Sequence, residues 1–154
     1  MGTTVFTGPV KSGDLLQGQV GGPNQGLCSL YQSTTITQNG TNPVSSTMNI
    51  PAGSILTSFN VDVLTAFNST TSAILSVGVS AGATTYVSGV SCLSTGRIAP
   101  TYTAAQLAAM SDQSVLGVVA LTTAPVVVTV TPTGTTSAGF VNVGMHYVQT
   151  TSSN

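Results

Sequence analysis

The feature that most constrains the fold is a two-residue alternation that begins at residue 55. One face of this stretch would carry Ile55, Thr57, Phe59, Val61 and Val63, and the other would carry Leu56, Ser58, Asn60, Asp62 and Leu64. A period of two is typical of a β-strand. The polar residues 68–72 read as a loop, and the apolar residues 73–79 read as a second strand. The pattern predicts a β-hairpin over residues 50–78, with residues 68–72 as its exposed tip.

Similar short segments recur along the rest of the chain. The turn dipeptides Asn39-Gly40 and Asn42-Pro43 separate some of them. The predicted strands cover residues 27–33, 34–38, 45–50, 56–67, 73–79, 84–89, 115–121, 126–131 and 140–149. We expect the last three to form an antiparallel meander. Residues 103–110 hold strong helix formers and predict one short helix, with Thr101 or Thr103 as its cap.

Many short strands with a single helix predict an all-β fold. We expect an antiparallel β-sandwich of jelly-roll or related Greek-key type. A β-solenoid is the alternative architecture, but no fixed repeat period supports it. The chain has 154 residues, which suits one domain. The predicted organisation is an extended N-terminal arm over residues 1–26, the sandwich over 27–149 and a polar tail over 150–154.

The predicted arm is rich in glycine and proline but holds two apolar pairs. These are Val5 with Phe6 and Leu15 with Leu16. An extended apolar segment can add a strand to the sheet of a neighbouring molecule. We therefore predict Val5, Phe6, Leu15 and Leu16 as partner-binding residues.

Charged residues make up only 3% of the chain, against about a quarter in typical globular domains. The five are Lys11, Arg97, Asp14, Asp62 and Asp112. Phosphate neutralisation needs clustered Lys and Arg, so we expect neither nucleic acid nor an anionic membrane surface as a partner. A surface without like-charge repulsion also favours association. We therefore expect a homo-oligomer.

No basic region followed by a long apolar run opens the sequence, so we expect no leader and synthesis in the cytoplasm. The apolar residues 115–130 are interrupted by Thr122, Thr123 and Pro125, which favours two strands over a membrane span. In that compartment Cys28 and Cys92 are expected as reduced, buried thiols.

One motif suggests catalysis but lacks its structural context. Residues 78–82, GVSAG, match the nucleophile elbow of α/β-hydrolases, and Asp112 and His146 follow Ser80 in the order of that triad. The elbow requires a strand-to-helix turn, whereas β-type residues follow Gly82. We expect Ser80 to lie in a turn, and His146 on a strand face. The potential zinc ligands Cys28, Cys92 and His146 have no metal-site spacing. We predict neither enzymatic activity nor a cofactor.

Two stretches carry a resemblance to a known family. The first is residues 50–78, which contain IPAGS, ILTSFNVDVLTAFNS and SVG, and the second is residues 138–148, which lie in SAGFVNVGMHYVQ. Both resemble jelly-roll head decoration (cement) proteins of tailed bacteriophages. The resemblance implies a structural virion protein that is made in the host cytoplasm and oligomerises on the outer capsid surface, with a trimer favoured and a dimer possible. Its implied partner is the major capsid protein, whose neighbouring subunits it would clamp together.

A receptor- or glycan-binding module of a phage tail fibre or other adhesin is the alternative function. Sugar binding favours exposed aromatic rings, and the chain has no Trp. The available platforms are Tyr31, Tyr86, Tyr102 and Tyr147.

Overall fold

The computed structural model describes residues 28–38, 40–51, 54–111 and 124–149. Within these ranges the chain forms eight strands and one helix. They are β1 (Cys28–Thr37), β2 (Val44–Ile50), β3 (Ser54–Thr65), β4 (Ser72–Gly78), β5 (Val87–Ser91), β6 (Gly96–Ile98), α1 (Ala104–Ser111), β7 (Ala124–Thr133) and β8 (Phe140–Gln149).

The described strands form two four-stranded antiparallel sheets. Sheet 1 has the order β1-β8-β3-β6, and sheet 2 has the order β2-β7-β4-β5. The first strand therefore pairs with the eighth, the second with the seventh, the third with the sixth and the fourth with the fifth. This is the pairing of one long hairpin rolled into two sheets, which is the jelly-roll arrangement. The prediction of an antiparallel β-sandwich of this type is confirmed.

The predicted hairpin over residues 50–78 is wrong, because β3 and β4 lie in different sheets. The segment between them crosses the end of the sandwich. There the Asn68 carboxamide oxygen accepts hydrogen bonds from the backbone N–H groups of Ser137 (2.9 Å) and Ala138 (3.0 Å). Ser69 is buried and donates its hydroxyl proton to the Thr133 carbonyl at 2.8 Å. Residues 68–72 are thus tied to the β7–β8 connection and are not a free tip.

The predicted meander is also wrong. β7 belongs to sheet 2 and β8 to sheet 1, so neither hydrogen-bonds to the other in the ladder. Residues 115–121, the first strand of that prediction, lie outside the described residues. Alternation identifies a strand and its buried face, but long-range pairing decides which strand lies beside it. Strands that are neighbours in sequence are therefore not partners here.

A change of register in β3 corrects one detail of its predicted faces. The pairing of β3 with β8 shifts between Leu56 and Ser58. Phe59, Val61 and Val63 are buried as predicted, whereas on the other side of the shift Leu56 is buried and Ile55 is half-buried. A bulge adds one residue to a strand and so exchanges the two faces.

Three other boundaries differ from the prediction. Residues 27–33 and 34–38 were predicted as two strands, but β1 is continuous, since neither Gly nor Pro interrupts it. The strand predicted over residues 84–89 is β5, which begins three residues later at Val87. The three-residue strand β6 was not predicted, because it is too short to show a period.

The core fills the space between the two sheets. β7 contributes Val126, Val128 and Val130, and β8 contributes Val141 and Val143, all fully buried. Alternate residues of the same strands face outward. A one-residue slip of either strand would turn these valines toward solvent, so their burial opposes such a slip.

Helix α1 packs beside β3 and hydrogen-bonds to β5. The N–H of Gln106 donates to the Thr103 hydroxyl at 3.2 Å, and the N–H of Thr103 donates to the Gln106 side-chain oxygen at 2.9 Å. This reciprocal pair is a capping box, and it confirms Thr103 as the cap. The Gln106 amide also donates to the Thr84 carbonyl, before β5, and to the Ser88 hydroxyl, within β5, which anchors the helix to this strand.

Among the described residues, no helix has the length and apolar character needed to cross a membrane.

Candidate functional site

The predicted partner-binding residues Val5, Phe6, Leu15 and Leu16 lie outside the described residues, as do the rest of residues 1–26. Their role stays a prediction. The chain enters the described part at Cys28, the first residue of β1. Among the described strands, β1 lies at one edge of sheet 1.

The hydrolase motif is not assembled among the described residues. Ser80 follows β4, in a segment that folds over the outer surface of sheet 2, where the Gly82 N–H donates to the Thr129 hydroxyl at 2.9 Å. His146 lies on the outer surface of sheet 1, beside Tyr31. The two side chains are therefore on opposite sides of the sandwich and form no nucleophile–base pair. Asp112 lies outside the described residues.

Ser80 occupies a turn, as predicted. The Ala83 N–H donates to the Ser80 carbonyl oxygen at 3.1 Å, and Gly82 has a φ of 76°. A glycine with positive φ at the third position is typical of a type II turn. Gly82 is thus explained by its positive φ, and Gly78 by a close approach, since a Cβ atom there would collide with Ala83.

The potential zinc ligands are not brought together by the described residues. Cys92 is fully buried in the core, whereas His146 is on an outer sheet face. The Cys28 side chain lies outside the described part. Burial raises the pKa of the Cys92 thiol to about 12, so this thiol is neutral at physiological pH and behaves as a small apolar side chain.

The structure reduces the four candidate aromatic platforms to one. Tyr86 and Tyr147 are buried in the core, and the Tyr102 hydroxyl is engaged by the backbone of Phe59. Tyr31 remains, with half of its surface exposed (50%). An exposed ring on a rigid strand is the form that stacking against a ligand requires.

Tyr31 belongs to a group of polar and aromatic side chains on the outer surface of sheet 1. We call this group the outer patch, and it consists of Tyr31, Asn60, Asp62, Arg97 and His146. Each of the four strands of sheet 1 contributes at least one member. Register explains the convergence, since Tyr31 pairs with His146 across β1 and β8, and Asp62 pairs with Arg97 across β3 and β6.

The two rings of the outer patch are in contact. The centroids of the Tyr31 and His146 rings are 4.8 Å apart, and their planes are inclined by 51°. This tilted arrangement is one that aromatic pairs prefer. The contact holds one side of the Tyr31 ring and leaves the rest of the ring open to solvent.

Gly144 forms the floor of the outer patch. It pairs with Asn60 in β3, and a Cβ atom added to it would collide with Asn60 Oδ1 and with the Tyr31 hydroxyl. The absence of a side chain at this position allows the Tyr31 ring and the Asn60 amide to lie over the backbone of β8. Glycine inside a strand often marks such a close approach.

Asp62 and Arg97 form a two-point ion pair at the margin of the patch. The Arg97 Nε–H donates to Asp62 Oδ1 at 2.6 Å, and the Nη2–H donates to Oδ2 at 2.9 Å. The hydrogen bonds from Arg97 hold the pKa of the Asp62 carboxyl below its usual value and raise the pKa of the guanidinium. The Arg97 side chain is 75% exposed, so its remaining N–H groups face solvent.

The amide of Asn60 is only partly satisfied. Its Nδ2 group donates to Asp62 Oδ2 at 3.4 Å, while its Oδ1 atom is buried and accepts no hydrogen bond from any described residue. A buried amide oxygen without a donor costs about 1–3 kcal/mol. An open depression of about 410 Å³ lies beside the Asn60 side chain and is lined by Tyr31, Asn60, Arg97 and His146.

The outer surface of sheet 2 has a different character. Its outward positions are Ser, Thr, Asn, Val, Ile and Pro, and none of its strands carries an ionisable Asp, Glu, Lys, Arg or His. Hydroxyl pairs cross it, including Ser45 with Thr129 at 2.9 Å. We call this surface the uncharged face.

The residues of the outer patch are scattered in the sequence, and only some of them carry a local signal. The alternation of β3 placed Asn60 and Asp62 on one outward face, and that was correct. Arg97 had no assigned strand, so its place opposite Asp62 could not be predicted. Tyr31 was named as a platform, but nothing in the sequence placed it beside His146.

The chain was compared with family models, curated proteins and solved structures. No family model matches the sequence, no curated protein matches it, and no solved structure matches the fold.

Proposed function

We propose that this chain is a non-enzymatic structural protein of a bacteriophage particle. In this role it attaches as an oligomer to the outer capsid surface and reinforces contacts between major capsid subunits. The observation that carries the proposal is the jelly-roll strand order, which agrees with the decoration proteins that residues 50–78 and 138–148 resemble. A fold by itself does not define a function, so surface chemistry has to support the same role.

The uncharged face supports attachment by shape and apolar contact. Its half-exposed apolar residues, such as Ile74 and Val127, lie among hydroxyl groups that can hydrogen-bond to a partner. Because long-range Coulomb attraction is absent there, ionic strength has little to screen. Attachment through this face should persist at high salt.

Edge strand β1 supports association between copies. It runs for ten residues, Cys28–Thr37, and contains neither a charged residue nor proline. Proteins that remain monomeric commonly protect such edges with charges, prolines or bulges. In our proposal the arm of a neighbouring copy adds a strand there, with Val5, Phe6, Leu15 and Leu16 packing against the sheet.

Native mass spectrometry of the full chain at micromolar concentration tests this association. We expect a trimer, or else a dimer. The variant Phe6→Asp with Leu16→Asp should shift the population toward monomer, because a charge cannot be buried unpaired in an apolar contact. The control variant Thr4→Asp with Gln17→Asp adds the same charge to polar positions and should leave the oligomer intact. A monomeric wild-type chain would contradict the proposal.

A further inference from the structure

We propose that the outer patch is a binding site for a neutral pyranoside sugar. Attachment to a capsid does not require this site, and sugar binding at the site does not depend on attachment to a capsid. The site combines an exposed aromatic ring, a depression beside it and several hydrogen-bonding groups that have no partner in the described part of the chain. Small-molecule sites bring the same three features together.

The ring of Tyr31 supplies the stacking surface. It is 50% exposed, and its contact with His146 restricts its orientation. The apolar C–H face of a pyranose packs on such a ring, and the ring loses little conformational freedom because the contact already holds it.

Polar groups beside the ring match the hydroxyl groups of a sugar. Arg97 uses its Nε and one Nη2 proton on Asp62, which leaves its other guanidinium protons as donors. Asn60 Nδ2 makes a single long hydrogen bond, to Asp62 Oδ2 at 3.4 Å, which leaves its second proton without a partner among the described residues. The His146 imidazole offers one further nitrogen at the rim.

Charge balance favours a neutral sugar over an anion. The single cation of the outer patch, Arg97, is paired with Asp62, so the two charges cancel. An anion would have to compete with the Asp62 carboxylate for the guanidinium. The depression of about 410 Å³ lies within the range of about 300–1,000 Å³ found for small-molecule sites.

Chemical-shift mapping of the ¹⁵N-labelled full chain tests the proposal. The ligands are the methyl pyranosides of glucose, galactose, mannose and N-acetylglucosamine, and inorganic sulfate serves as the anion probe. We expect at least one glycoside to shift the amide signals of Tyr31, Asn60, Gly144 and His146. The variant Tyr31→Ala should weaken that binding about tenfold or more.

The control is Thr35→Ala, which removes an exposed side chain from the same face of β1 and should leave the affinity unchanged. Arg97→Ala should also weaken binding. Because the Arg97 side chain is highly exposed, this variant should fold, and it tests the site even if Tyr31→Ala does not fold. The proposal is overturned if no glycoside shifts these signals, if shifts appear only elsewhere, or if only sulfate binds. It is also overturned if neither variant weakens binding.

Discussion

The Tyr102 hydroxyl oxygen accepts a hydrogen bond from the backbone N–H of Phe59 at 2.8 Å, and it lies 3.4 Å from the carbonyl oxygen of the same residue. Strand β6 pairs with β3 only from Val61 to Val63, so the edge of β3 at Phe59 has no strand beside it in the described residues. One side chain thus occupies the hydrogen-bonding position that a longer β6 would fill. This contact fixes the segment before α1 against sheet 1.

The first prediction concerns this contact. Tyr102→Phe keeps the ring but leaves the Phe59 N–H without a partner in a partly buried position, and we expect a loss of about 1–3 kcal/mol in unfolding free energy. Urea unfolding measures the loss. Tyr31→Phe is the control, because the Tyr31 hydroxyl bonds to no described residue, and it should change stability by less than about 0.5 kcal/mol. Equal effects of the two variants would contradict the assigned role of Tyr102.

The second prediction concerns Gly144. Alanine is usually better than glycine inside a strand by about 0.5–1 kcal/mol. Here its Cβ would collide with Tyr31 and Asn60, so we expect Gly144→Ala to destabilise the fold by about 1–3 kcal/mol.

A double-mutant cycle shows whether that cost comes from Tyr31. In the Tyr31→Ala background the Gly144→Ala substitution should cost less, because one of the two colliding groups has been removed. The two effects are measured by thermal or urea unfolding of all four proteins. Strict additivity would show that Tyr31 does not lie over Gly144 in solution.

The third prediction concerns the pH dependence that Asp62 contributes. Arg97 lowers the pKa of the folded-state Asp62 carboxyl below its unfolded value of about 3.9. The stabilisation is therefore complete above the unfolded pKa, and it is lost as the pH falls through the folded pKa. Asp62→Asn should reduce stability slightly at pH ~7, and the difference from wild type should disappear at pH ~2.

Salt provides a second check on the same pair. Arg97 is highly exposed, so added salt should reduce the difference between wild type and Asp62→Asn at neutral pH. A difference that grew as the pH fell would contradict the direction of the pKa shift.

The fourth prediction concerns the buried thiol. Cys92 has no exposed surface, and burial raises its pKa to about 12, so the reactive thiolate is scarce at neutral pH. In the variant Cys28→Ser, which isolates this thiol, a disulfide reagent such as DTNB should react only after denaturant is added. Rapid reaction of the native variant would show that the β5 end of the core is open.

Local pattern predicted the strands well, but it did not predict their pairing. The burial of Phe59, Val61 and Val63 followed from the alternation of their own segment. The separation of β3 from β4 depends on distant contacts, such as those of Asn68 with Ser137, which leave no mark in the local sequence.

The outer patch was accessible to sequence reasoning only in part. The alternation of β3 places Asn60 and Asp62 on the solvent side, and Tyr31 is one of four tyrosines that the sequence offers as stacking platforms. The place of Arg97 opposite Asp62 depends on a three-residue strand without a readable period. The Tyr31–His146 contact depends on the register of β1 and β8, which the sequence does not specify.

The central claim, that this chain is a capsid decoration protein, is tested most directly by its copy number in purified phage particles. Quantitative mass spectrometry of washed particles gives the ratio of this chain to the major capsid protein. The proposal predicts a copy number comparable with that of the capsid subunits, and retention of the chain after a high-salt wash. A few copies per particle would place it in the tail, and its absence from the particle would contradict the claim.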